Sequence, residues 1–292
     1  MKQTIRLPNQ ETYAYRTEGR PGNPVLCLVH GNMSSSFHFQ PIMSELARDF
    51  YVVAPDLRGL GDSTYHTPID SLHDLAGDLK RFLDALGLAK ASFVGWSTGG
   101  GVVLSFAARY PEVTDAIVLM ESASVRGYPV YRKDARLQPI PTELYQDKAS
   151  MAADPVQVAP VVRAMETKDH EALKRIWLAT VYNVHVPEAV DAFVEESLKQ
   201  RNLVDIDWAL MTFNMSDSHN GVVPGDGTAR AVQAPILITW GRKDLVLPEF
   251  MFQQNGEAFP EAERLILDHG SHSPLTDEPD TIIHAIRDFL RA

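Results

Sequence analysis

A serine flanked by glycines offers a nucleophile near the first third of this 292-residue chain. Gly95-Trp96-Ser97-Thr98-Gly99 follows a short apolar run and precedes a segment with helical character, which fits Gly-x-Ser-x-Gly at a strand-to-helix turn. Glycines permit the sharp turn that lifts the hydroxyl clear of the sheet. The helix behind Ser97 brings free N–H groups and a positive dipole end toward a developing oxyanion. The pattern predicts a nucleophilic Ser97.

A serine hydroxyl needs a base, usually a histidine, and the chain holds ten histidines. Two of them, His269 and His272, lie in the loop that follows the last predicted strand. His269 is closer to that strand. His272 stands directly before Ser273-Pro274, where a flexible loop can carry it over the sheet toward Ser97. We therefore favour His272 as the base.

The imidazole in turn needs a carboxylate that fixes its tautomer and stabilises its charged form. Asp244 is the favoured residue because it follows the strand that ends near Trp240, and functional loops lie at the carboxyl ends of parallel strands. Glu121 is the alternative acid, since it follows the neighbouring predicted strand. The resulting chain order is Ser97, Asp244, His272.

An oxyanion needs two donors, and the sequence offers candidates on both sides of Ser97. One is the backbone N–H of Thr98, and the other comes from the loop His30-Gly31-Asn32-Met33 after an apolar strand. Asn32 is the preferred donor there, with Met33 second, while His30 is expected to hold the loop by hydrogen bonds. Met33 and Trp96 are also predicted to line the substrate pocket.

The elements that must position these residues alternate between strand and helix, which indicates a parallel sheet with right-handed crossovers. The alternation breaks after Glu121 and resumes near residue 235. The interrupted stretch lacks clear apolar strands and contains two helical candidates, over 169–182 and 187–200. We therefore predict one α/β core, residues 1–124 and 231–292, and a helical insertion over 125–230.

Composition excludes several classes of partner. The chain is 45% hydrophobic and 22% charged, and its formal charge is −11, which argues against nucleic acid and anionic membranes. Cys27 is the only cysteine, so no internal disulfide is possible. No stretch reads as a signal peptide or a membrane span. The expectation is a cytoplasmic enzyme acting on a small molecule, with a homodimer possible.

These residues together resemble the α/β-hydrolase superfamily over nearly the whole chain. The resemblance implies a mostly parallel eight-stranded sheet with helices on both faces, a helical cap inserted after strand 6, and no metal or organic cofactor. Within the superfamily, Ser97-Thr98-Gly99-Gly100-Gly101 is similar to the cofactor-free haloperoxidase and aryl esterase branch. The matching motifs are His30-Gly31, Asp56-Leu57-Arg58-Gly59-x-Gly61-x-Ser63, Gly95-x-Ser97-x-Gly99-Gly100, Gly241-x-x-Asp244 and Gly270-x-His272-x-Pro274.

Two further expectations follow from the resemblance. The Asp56–Ser63 stretch is read as a structural loop, with Arg58 and Asp62 paired to each other. The insertion is expected to fold over Ser97 as a lid whose apolar residues favour an acyl or aryl group.

The leading hypothesis is a serine hydrolase for a small carboxylic ester, lactone or thioester that works through an acyl-enzyme. Two alternatives remain open at this point. One is hydrolysis of a carbon–carbon bond in a ring-cleavage product. The other is a non-catalytic small-molecule receptor on the same fold.

Overall fold

The computed structural model describes residues 2–291, and an eight-stranded sheet runs through it in the order β1-β2-β4-β3-β5-β6-β9-β10. Strand β2 is antiparallel to both of its neighbours. The remaining neighbours in this sheet, β4-β3-β5-β6-β9-β10, all pair in parallel. This confirms the predicted mostly parallel sheet. The strands are β1 Lys2–Arg6, β2 Thr12–Glu18, β3 Val25–Val29, β4 Tyr51–Pro55, β5 Ala91–Trp96, β6 Thr114–Met120, β7 Tyr131–Lys133, β8 Pro139–Leu144, β9 Ile236–Gly241 and β10 Glu263–Leu267.

Eleven α-helices accompany these strands within residues 2–291. They are α1 Gln40–Leu46, α2 Leu72–Ala85, α3 Thr98–Arg109, α4 Lys148–Ala152, α5 Ala159–Glu166, α6 His170–Thr180, α7 Val190–Ser197, α8 Leu203–Thr212, α9 Glu249–Ala258, α10 Pro274–Asp277 and α11 Pro279–Arg291. In this part of the chain, none of the helices has both the length and the apolar character needed to cross a membrane.

The central strands are apolar without interruption because both faces of the sheet are buried. Successive side chains of a strand point to opposite faces, so each strand contributes to two hydrophobic cores. One core holds Cys27, Phe93 and Ile117 together with residues of α2 and α3. The other holds Leu28 and Val94 together with residues of α1 and α11. Cys27 is thus a core residue, as expected from its apolar neighbours.

The insertion between β6 and β9 differs in part from its prediction. The helices predicted over 169–182 and 187–200 are confirmed as α6 and α7. The insertion also contains an antiparallel hairpin, β7 with β8, where only helices were expected. The hairpin was missed because its strands are short and largely exposed, so they carry no run or alternation of apolar side chains.

His38 joins the sheet to the insertion. Its ring lies in a 3₁₀ turn, Ser36–Phe39, and stacks on Trp177 and Phe193 at centroid distances of 5.3 and 4.7 Å. Its Nδ1 accepts a hydrogen bond from the Ser35 N–H at 3.1 Å. Burial lowers the pKa of His38 to about 3, so the ring stays neutral in the folded protein.

Because His38 is buried in its neutral form, we expect the free energy of unfolding to decrease at acidic pH. The pKa of His38 is about 3 when folded and 6.5 when unfolded, so its contribution is complete above pH 6.5 and is lost as the pH falls toward 3. Between pH 7 and 5, wild-type protein should lose roughly 2 kcal/mol of unfolding free energy through this group. Urea denaturation at both pH values measures the loss.

His38→Asn keeps an acceptor for the Ser35 N–H but cannot titrate, so its unfolding free energy should depend less steeply on pH. His284→Asn, at an exposed position of α11, should retain the wild-type slope. Equal slopes in wild type and His38→Asn would contradict the assignment.

Candidate active site

The turn from β5 to α3 holds Ser97 in a backbone conformation that residues other than glycine rarely adopt, with φ 55° and ψ −120°. Positions 95 and 99, two residues before and after Ser97, require glycine because the backbone packs closely there. A Cβ on Gly99 would lie 2.1 Å from the Val29 carbonyl oxygen, and a Cβ on Gly95 would lie 2.6 Å from the Gly100 Cα. The Gly-x-Ser-x-Gly pattern therefore reflects a steric requirement as well as a turn.

His272 and Asp244 meet in the loops that follow β10 and β9. His272 Nδ1 lies 2.9 Å from Asp244 Oδ2, and both side chains are buried. The other oxygen, Oδ1, accepts from the N–H groups of Val246 and Leu247 at 2.7 and 2.8 Å. A carboxylate in this position places the imidazole proton on Nδ1 and leaves Nε2 as the acceptor. His272 and Ser97 line the same cavity.

The alternative acid occupies a different environment. Glu121 is buried after β6, and it accepts a hydrogen bond of 3.3 Å from the Thr239 hydroxyl, whereas His272 pairs with Asp244. Burial, together with the nearby charge of Asp244, raises the pKa of Glu121 well above its usual value. This shift favours the protonated, neutral form of the Glu121 carboxyl. The alternative histidine, His269, lies exposed on the surface.

The hydrogen bonds of the backbone N–H groups distinguish between the predicted oxyanion donors. Within residues 2–291, no group accepts a hydrogen bond from the backbone N–H of Asn32 or Thr98. The Met33 N–H is already used, since it donates to Gln200 Oε1 at 2.9 Å. Gly31 brings its loop against the serine, because a Cβ there would lie 2.8 Å from the Ser97 Cβ. The geometry thus favours Asn32 over Met33 as a donor.

His30 holds the loop after β3 through buried hydrogen bonds, as predicted from the sequence. Its Nε2 accepts from the Leu57 N–H at 2.9 Å, and its Nδ1 lies 2.8 Å from the Gly31 carbonyl oxygen. The expected pair of Arg58 with Asp62 is wrong. Arg58 Nε instead donates to Asp78 Oδ2 of α2 at 2.6 Å.

A cavity of about 390 Å³ opens beside Ser97, and its wall is mostly apolar. Met33 and Trp96 line it, as predicted, and the insertion supplies much of the remainder. Among residues 2–291, no lysine or arginine borders it. The insertion's apolar contributions include Val158, Val161, Trp177, Val181 and Leu210.

Asp207 is the wall residue that sequence reasoning missed. It borders the cavity from α8, a helix whose residues are mostly apolar. Asp205 is a second acid on the same helix. Nothing in the sequence links Asp207 to Ser97, which is 110 positions away. A charged residue within an apolar helix was the available signal.

An acidic cluster outside the cavity wall is paired with lysine side chains. Asp56, Asp62 and Glu196 bring carboxylate oxygens within 4.8 Å of one another. Lys199 Nζ lies 3.1 Å from Asp62 and 2.7 Å from Glu196, and Lys2 contacts Asp62 and Asp56. Two ammonium groups therefore offset part of the negative charge of these three carboxylates.

The close packing at the serine turn predicts a stability difference between two glycine variants. Gly99→Ala places a methyl group against the Val29 carbonyl and should cost about 3 kcal/mol of unfolding free energy. Gly77→Ala, in α2, meets only the flexible end of Arg81 at 3.2 Å and should be neutral or slightly stabilising. Urea denaturation compares them, and equal stability of the two variants would contradict the steric account.

Comparison with known proteins agrees with this architecture. The family model described as alpha/beta hydrolase fold matches residues 24–279. Lipase 1 of Psychrobacter immobilis is 23% identical over 297 residues, covering 99% of this chain and 84% of the lipase.

Two solved structures share the fold. The enol-lactonase of Burkholderia xenovorans LB400 superposes with a TM-score of 0.76 at 19% identity, over 99% of this chain and 100% of the enzyme. The 2-hydroxy-6-oxo-6-phenylhexa-2,4-dienoate hydrolase of Rhodococcus sp. strain RHA1 gives 0.72 at 21% identity, over the full length of both. The chain therefore belongs to the family with the α/β-hydrolase fold.

Proposed function

We propose that this protein is a serine hydrolase that cleaves a small, largely apolar carboxylic ester, lactone or thioester through an acyl-enzyme. The observation that carries the proposal is the convergence at one cavity. Ser97, at a strained turn, borders this cavity together with Asn32, Thr98 and His272, and His272 in turn pairs with Asp244 behind the wall.

The reaction follows from the roles that these groups can perform. Ser97 Oγ attacks the carbonyl carbon while His272 Nε2 takes its proton. The carbonyl oxygen becomes an anion, which the N–H groups of Asn32 and Thr98 stabilise. His272 returns the proton to the leaving group as the carbonyl reforms, and Asp244 stabilises the imidazolium meanwhile. Water, deprotonated by His272, then attacks the acyl-Ser97 ester, releases the acid and restores the hydroxyl.

The cavity wall supports a largely apolar substrate without a negative charge. Its side chains are mainly aliphatic and aromatic, and no basic side chain among residues 2–291 borders it. That composition disfavours the carbon–carbon bond alternative. The Rhodococcus hydrolase is named for a dienoate, which is an anion. An anion in the cavity of the present protein would meet no lysine or arginine among residues 2–291.

The proposal predicts distinct losses in hydrolysis of p-nitrophenyl butyrate. Ser97→Ala should lower kcat/KM by about 10⁴-fold or more because it removes the nucleophile. Asp244→Asn should lower it by a similar factor, since an amide can stabilise the wrong tautomer of His272. Release of p-nitrophenolate measures both.

Glu121→Gln is the matched control for Asp244→Asn. Both replace a buried carboxyl with its amide, but the raised pKa of Glu121 favours its neutral form, and His272 Nδ1 pairs with Asp244 instead. Its loss of kcat/KM should be far smaller. A larger loss in Glu121→Gln would assign the acid to Glu121, and full activity in a folded Ser97→Ala protein would overturn the proposal.

A further inference from the structure

A single carboxyl group interrupts the apolar wall of the cavity. Asp207 projects from α8, and apolar residues of the same helix and of the insertion surround it. The mechanism described above does not use it. A carboxyl in such a wall is costly unless a partner compensates for its lost hydration.

Its protein partner is fixed by a chain of hydrogen bonds that begins at a backbone donor. The Met33 N–H donates to Gln200 Oε1 at 2.9 Å, which directs Gln200 Nε2 to Asn32 Oδ1 at 2.7 Å. Asn32 Nδ2 is thereby left to donate to Asp207 Oδ1 at 2.8 Å. The backbone N–H sets each amide orientation, so Asp207 Oδ1 must be an acceptor.

The second oxygen of Asp207 is free. Within residues 2–291, the hydrogen bond from Asn32 reaches Oδ1 and none reaches Oδ2, and the side chain borders the cavity. Burial raises the pKa of Asp207 to about 7, with the hydrogen bond from Asn32 opposing the increase. At pH 8 the group is mostly ionised and offers an acceptor without a partner to whatever occupies the cavity.

We propose that Asp207 is a specificity-determining residue, which selects substrates that carry a hydrogen-bond donor, such as a hydroxyl or ammonium group, close to the scissile carbonyl. This inference rests on the proposed function. The position follows from Asn32, because this residue is the proposed oxyanion donor, its side chain holds Asp207, and both residues border the same cavity as Ser97. A donor near the carbonyl can therefore reach Oδ2, and a substrate carboxylate at the same place is repelled.

A pair of nearly isosteric esters tests the selection at pH 8. p-Nitrophenyl 3-hydroxybutyrate carries a hydroxyl where p-nitrophenyl 3-methylbutyrate carries a methyl group. Each enantiomer of the hydroxy ester is measured separately, and the readout is the ratio of its kcat/KM to that of the methyl ester. For at least one enantiomer, Asp207→Leu should lower this ratio by about 10-fold or more.

Asp207→Asn provides a variant of the same shape. Its amide oxygen can still accept from Asn32, but the free acceptor becomes an N–H donor. The ratio should fall again, and kcat/KM for the anionic p-nitrophenyl hemisuccinate should rise relative to the methyl ester. Spontaneous hydrolysis of that ester is subtracted with Ser97→Ala as the blank.

Thr180→Val is the matched control, because Thr180 also borders the cavity but its hydroxyl donates to the Ile176 carbonyl at 2.7 Å. The ratio should remain at the wild-type value. Equal ratios in wild type and both Asp207 variants would overturn the role of Asp207 and leave the serine hydrolase intact. Absence of Ser97-dependent turnover of any ester would contradict the proposed function and this inference with it.

Discussion

The site depends on one close approach between two backbone segments. The loop after β3 and the turn after β5 pack so tightly that a methyl group fits at neither Gly31 nor Gly99. This approach places Asn32, Ser97 and Thr98 on the wall of one cavity. The strained φ of Ser97 persists because β5 and α3 fix the turn at both ends, as strained conformations require.

The insertion supports this geometry as well as covering it. Gln200 and Asn202 precede α8 and anchor the insertion to the core, where Gln200 bonds to Asn32 and Asn202 Nδ2 donates to the Arg58 carbonyl at 2.7 Å. His38 packs between aromatic rings of α6 and α7. The insertion that supplies much of the pocket wall therefore also braces the loop that carries Asn32. Changes in the insertion are expected to affect specificity and turnover together.

Much of this arrangement could be predicted from local sequence. The two-faced sheet follows from uniformly apolar strands. Ser97, Asp244 and His272 could be proposed as a set because each follows a strand and lies in a recognisable turn. The contact between His272 and Asp244 spans only 28 positions and two adjacent strands.

Other features depend on contacts that no local pattern encodes. Arg58 could pair with Asp62 in its own loop, but the fold brings Asp78 of α2 to its guanidinium. The β7–β8 hairpin lacks an apolar pattern because little of it is buried. Asp207 reaches the site through Asn32, 175 positions away, a neighbour that only the packing of α8 on the core reveals.

The most direct test of the central claim is covalent trapping of the serine. Diethyl p-nitrophenyl phosphate transfers a diethylphosphoryl group to a nucleophile that is activated by a base and flanked by oxyanion donors. Intact-protein and peptide mass spectrometry after incubation should show one such group, located on Ser97, and none in Ser97→Ala. Labelling at another residue, or no labelling of the folded protein, would contradict the account.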